Sequence, residues 1–99
     1  MIHELKTWLT VFEAVVDGRK TFELRKNDRW FSVGDSLRLL EYNSISQAYT
    51  GREVWCRVTY IVDSVPEWGL MDGYCIMGLA KEVNPTAIPQ AGEKEQPDE

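Results

Sequence analysis

The apolar positions along the chain keep a period of two almost throughout and leave it once. Over "TWLTVFEAVVDG", Trp8, Val11, Phe12, Val15 and Val16 recur at i, i+3, i+4, i+7 and i+8, the single stripe of an amphipathic helix. Thr7 stands where a cap would start that helix, and Gly18 where a left-handed turn would end it. The stripe reads as a core face laid against a sheet.

The other segments alternate and read as strands. "IHELK" groups Ile2, His3 and Glu4 around Leu5, and "TFELRK" places Phe22 and Leu24 on a core-facing side with Thr21, Glu23 and Arg25 opposite. "SLRLLEY" follows the turn "VGD". In "REVWCRVTYIVD", Val54, Cys56, Val58, Tyr60 and Val62 share one face, while Glu53, Trp55, Arg57, Thr59 and Ile61 share the other. "YCIMGLAKEV" is apolar on both sides, as a strand buried between layers would be. "NSISQAYTG" reads as a hairpin loop and "SVPEWGLMDG" as a longer one. One helix after the first strand, then hairpin-linked strands, predicts a small α+β domain of five to six strands whose twisted sheet curls into an open β-barrel.

Composition narrows this picture. A chain of 99 residues suits one domain, and 43% hydrophobic content with four Trp is enough to build a core without metal or disulfide. Cys56 and Cys75 lie inside apolar strand runs, where buried free thiols are expected. One His and two separated Cys do not supply the paired ligand spacing of zinc sites, so no metal and no cofactor are expected. No run approaches the ~20 apolar residues of a membrane helix, and "MIHELKTW" lacks the basic start and long apolar stretch of a signal peptide, so a cytoplasmic protein is expected. The stretch "NPTAIPQAGEKEQPDE" holds three of the four prolines and few apolar residues. It divides the chain into a domain at 1–83 and a disordered acidic tail at 84–99.

The tail also changes the charge reading. It contributes −3 to the net −5, leaving a nearly neutral domain with clustered positive charge. In "GRKTFELRKNDR", Arg19, Lys20, Arg25, Lys26 and Arg29 face only Glu23 and Asp28, a local +3. Strand geometry sets Glu23 and Arg25 side by side, about 7 Å apart. Arg25 can offer a forked donor set to a phosphate or a base edge, and Glu23 can accept from an amino group or hold that arginine. Lys20 reaches the same rim from the helix-to-strand corner; Asn27 and Asp28 favour a turn, and Arg29 adds a donor. His3 and Lys6 are expected to converge on this site from the first strand. Trp30, Trp55 and Trp68, the last in the "PEWG" loop, are candidate platforms for base stacking, worth about 1–3 kcal/mol per base. The plainer alternative is a surface ion pair worth about 0–1 kcal/mol, with the tryptophans serving the core.

At "GRKTFELRKNDRWFSVGD" the sequence resembles the ASCH branch of the PUA-like superfamily. More narrowly it resembles a small bacterial and phage family of unknown function with "HELK" before a helix, "G-x-K-T-F-E-x-R-K-N-D-R", "V-G-D", "E-Y…Y-T-G-R" and "V-T-Y". Those motifs are His3 to Lys6, Gly18 to Arg29, Val33 to Asp35, Glu41 and Tyr42, Tyr49 to Arg52, and Val58 to Tyr60. The resemblance implies a pseudo-barrel with a cleft between helix and barrel, floored by the "G-x-K-T-x-x-x-R" segment, and an association with RNA and modified nucleotides. Some ASCH members are amidohydrolases that deacetylate acetylated cytidine with a Lys, a Thr and a Glu; others are ribonucleases. By position Lys20 matches the amidohydrolase Lys and Arg25 the arginine that follows it. Glu23 stands where the Thr would be, and a carboxylate there can act as a base or as an acceptor for a base edge but cannot perform the same step.

The expected function is therefore an RNA- or nucleotide-binding module. Its site comprises His3, Lys6, Lys20, Glu23, Arg25, Asn27, Asp28, Arg29 and Trp68, with RNA or a nucleotide as partner and no membrane. Two alternatives stay open. One is a small hydrolase of modified nucleosides or RNA, with Lys20 and Glu23 catalytic; the other is a protein–protein adaptor.

Overall fold

A computed structural model describes residues 1–86. Its elements are β1 (Ile2–Trp8), α1 (Leu9–Val16), β2 (Phe22–Lys26), β3 (Ser36–Asn43), β4 (Ala48–Val65), a single 3-10 turn at Pro66–Trp68, and β5 (Leu70–Glu82). Over the described residues the protein is mostly β with one short α-helix, and the five strands form one sheet in the order β1-β3-β4-β5-β2. β1 runs parallel to β3, while the β3–β4, β4–β5 and β5–β2 pairs are antiparallel. The sheet curls into a half-barrel, which brings its two edge strands, β1 and β2, toward each other.

The concave side holds the core: Leu5, Leu37, Leu39, Cys56, Val58, Cys75 and Met77 from the sheet, with Val15 from α1 and Phe31 from the loop before β3. Both cysteines are buried free thiols, and burial pushes the Cys56 thiol up to about 11, so it stays protonated. On the convex side Arg38 bonds Glu4 of β1 at 2.5 Å and Glu53 of β4 at 2.8 Å, tying three strands across the sheet. Among the described residues no helix is long and apolar enough to cross a membrane.

Several local expectations are corrected. The helix starts one residue later than a Thr7 cap requires: Thr7 is the last inward residue of β1, its hydroxyl donates to the Leu5 carbonyl at 3.3 Å, and Trp8 precedes the helix without a side-chain cap. Phe12 and Val15 are the buried helix residues, whereas Trp8 is 61% exposed. Gly18, at φ +87°, ends the helix as expected and donates to the Val15 carbonyl. In β4 a register shift between Val58 and Tyr60 inserts one residue, so Tyr60 turns outward instead of following Val58 into the core. β5 has only one buried side, because nothing among the described residues packs on its convex face around Ile76. The loops are shorter than their composition suggests: Ala48 and Tyr49 already pair with Asn43 and Tyr42, and β5 begins at Leu70. The expected tail lies outside the described residues from residue 87 onward.

One buried polar pair supports this frame. His3 bonds Asp35 at 2.8 Å, and Asp35 also accepts from the Ser32 N–H at 2.9 Å. Burial alone would push the Asp35 carboxyl up, but these bonds outweigh it and hold the group below its ordinary value. A depressed carboxylate stabilises the fold above its unfolded value and loses that contribution as the pH falls through its folded one. Asp35→Asn is therefore expected to cost about 1–3 kcal/mol at neutral pH, and the difference from wild type should shrink as the pH drops below 3.8. Urea unfolding at several pH values reads this out; a difference that stays constant down to the acid limit would contradict it.

Candidate functional site

The β2 alternation is inverted relative to the sequence reading. Glu23 is only 4% exposed and faces the barrel interior opposite Met77, while Phe22 and Leu24, at 46% and 55%, point to the convex side. Alternation alone predicts that the apolar face is the buried one. Here the interior beside the edge strand is polar, because the buried carboxylate has cationic partners on the same segment. Lys20 Nζ lies 3.3 Å from Glu23 Oε1 and Arg25 Nε 2.5 Å from Glu23 Oε2. Each carboxylate oxygen thereby accepts from one cation, and Glu23 holds Lys20 and Arg25 beside each other.

Arginines bridge the gap between the two sheet edges. Arg25 Nη2 donates to the Lys6 carbonyl at 2.7 Å, and Arg29 Nη1 donates to the Glu4 carbonyl at 2.8 Å. Beside these bridges lies a cleft of about 620 Å³, in the size range of small-ligand sites. Lys6, Lys20, Arg25, Lys26 and Arg29 line it, with Trp8, Phe22 and Tyr74 as its aromatic wall. Most nearby acids are already paired: Glu23 as described, and Glu4 with Arg38 on the convex side. Asp28 also lines the cleft and has no cationic partner within salt-bridge distance among the described residues. The Lys20 ammonium meets the Phe22 carbonyl at 2.6 Å, the Glu23 carboxylate and the Phe22 ring.

Of the residues expected at the site, Lys6, Lys20, Glu23, Arg25, Asp28 and Arg29 come together. His3 does not: it is buried against Asp35 and Phe31. Asn27 is a turn residue that donates to Asp63 at 3.2 Å and accepts from the Phe31 N–H at 3.3 Å. Trp68, 82% exposed on the 3-10 turn, and Trp30 lie outside the cleft lining, and Trp55 is buried with its N–H on Glu53. The aromatic that sequence reasoning missed is Trp8. Its signal was present in β1, where Ile2, Glu4, Lys6 and Trp8 form one alternating face, so Trp8 goes with Lys6 and not with Phe12.

Comparison with known proteins covers this whole arrangement. A family model described as a domain of unknown function, DUF3850, matches residues 2–79. The chain belongs to the DUF3850 family. All cleft residues of this DUF3850 domain lie within the matched span. A relative named "Uncharacterized 12.9 kDa protein in GpA 3'region", from Escherichia phage P2, is 34% identical over 90 residues, spanning 91% of this chain and 79% of its own length.

Proposed function

We propose that this domain is a PUA-like module of the ASCH type that binds a single-stranded or modified nucleotide of RNA in the cleft between β1 and β2. The observation that carries the reading is the convergence of Lys6, Lys20, Arg25, Lys26 and Arg29 on one cleft beside an exposed Trp8. Guanidinium and ammonium groups meet phosphate, and an exposed indole offers a face to a base that a duplex would keep stacked. The binding reading is preferred to hydrolysis because Lys20 and Glu23 are engaged with each other and with their neighbours, leaving neither poised to move a proton.

The test is fluorescence anisotropy with a short labelled single-stranded RNA. Arg25→Ala is expected to weaken binding about 10–100-fold, the worth of one charged hydrogen-bonding group at about 1.5–3 kcal/mol. Arg57→Ala, an exposed cation outside the cleft lining, serves as the control and should stay within about twofold. Arg38 is unsuitable as that control because it ties Glu4 of β1 to Glu53 of β4. Equal affinity of wild type and Arg25→Ala would remove the proposal.

A further inference from the structure

Every acceptor that the free edge of β1 would present at Glu4 and Lys6 is already taken. β1 joins β3 through alternate residues, the Met1 carbonyl accepting from the Ser36 N–H, so Glu4 and Lys6 turn their backbone groups the other way, toward β2. Their carbonyls are the ones capped by Arg29 and Arg25. An ordinary open edge alternates donors and acceptors and invites another strand. This edge instead presents backbone N–H groups with guanidiniums set over the carbonyls, and each arginine keeps N–H groups beyond those it spends.

We infer that the edge of β1, with Arg25 and Arg29 over it, is a donor row for the phosphodiester backbone of an extended single strand, with Trp8 at its end receiving a base. This rests on the nucleotide-binding reading above and adds to it the part of the ligand that is gripped. The two capped carbonyls lie two residues apart, about 6.6 Å along the strand. That interval is on the scale of the distance between successive phosphates of one nucleic-acid strand, so the two guanidiniums can meet neighbouring phosphates, and the exposed Trp8 ring asks for a base that is out of its stack. Trp8 continues the same alternation beyond Lys6 and is exposed, which sets its ring beyond the second grip point. A neutral backbone would lose the charge attraction of the row, and a duplex would keep its bases stacked and away from Trp8.

The experiment measures affinity of the full chain against salt for four probes: oligouridylate, its neutral methylphosphonate analogue, a duplex of the same length, and an oligoglutamate of equal charge. Wild type should bind oligouridylate at least tenfold more tightly than each of the other three. Arg25→Ala and Arg29→Ala should each flatten the slope of log K against log salt by about 0.7, the value for one single-strand phosphate contact. Trp8→Ala should weaken binding about tenfold while leaving the slope unchanged. Arg29→Lys, which keeps the charge, should restore the slope and so rule out a folding defect as the cause. If Arg25→Ala weakens binding but Arg29→Ala leaves the slope intact, or if the methylphosphonate, the duplex or the oligoglutamate binds as well as oligouridylate, the donor row is wrong while the cleft can still stand. If no RNA binds at all, both readings fall.

Discussion

Glu23→Ala is expected to lower the melting temperature by about 10–30 °C and to weaken RNA binding at the same time. The carboxylate is buried and receives Lys20 at 3.3 Å and Arg25 at 2.5 Å, whose side chains are themselves only 19% and 28% exposed. Removing the acid leaves two cations next to each other without compensation. Breaking a fully buried pair in this way costs about 3–5 kcal/mol, and partial hydration of both cations brings the expected loss to about 2–4 kcal/mol. Against a total stability of about 5–15 kcal/mol for a chain of this size, that loss is large, and at about 4–8 °C per kcal/mol it gives the stated shift. Glu23→Gln separates the roles of the carboxylate. If Glu23 holds Arg25 in place, the amide should lower both stability and affinity, since it turns a donor toward a cation; if Glu23 read a base, only affinity would fall. A thermal melt alongside the anisotropy titration decides this, and a melting temperature within about 2 °C of wild type would contradict the positioning role.

Phe12→Ala is expected to cost about 3–4 kcal/mol and to disable the cleft without touching a cleft residue. Phe12 is 1% exposed, and Arg52 lies over its ring at 5.1 Å. The eight-residue helix α1 is far too short to hold itself, so its docking on β1 and β3 depends on Phe12 and Val15. The helix also sets the ends of the site. Trp8 leads into it, and after it the Lys20 N–H returns to the Ala14 carbonyl at 2.9 Å, which fixes where the "GRKTFELRK" segment turns into β2. Undocking should release both. Urea unfolding gives the stability, and hydrogen exchange of the Val11–Val16 amides gives the helix; protection unchanged from wild type would show that Phe12 does not hold it. Phe12→Leu, which keeps most of the volume, should cost about 1 kcal/mol.

Much of this molecule was legible before its structure. The 3.6 period read from Trp8 to Val16 marked the only α-helix among the described residues, although Trp8 itself ends β1, and the alternating runs marked five strands, because each of those patterns is set by local geometry. The charge cluster at residues 18–29 stood out against a nearly neutral domain and lies at the cleft. The faces were less legible. Whether Phe22 or Glu23 turns inward depends on what occupies the barrel interior beside β2, and the answer comes from Lys20, Arg25 and the far-off edge of β1. The inserted residue between Val58 and Tyr60 similarly broke an alternation that looked continuous, since a bulge is seen only against its partner strand.

The sequence by itself therefore determined which elements form and which segment carries the cations, since periodicity and composition act within a few residues. Only the tertiary structure decided which cations work together, that His3 serves Asp35 and that Trp8 joins the site. The reason is that β1 and β2 are the two ends of a five-strand sheet and meet only because that sheet curls. A contact such as Arg29 to the Glu4 carbonyl spans 25 residues and exists only once that curl has formed.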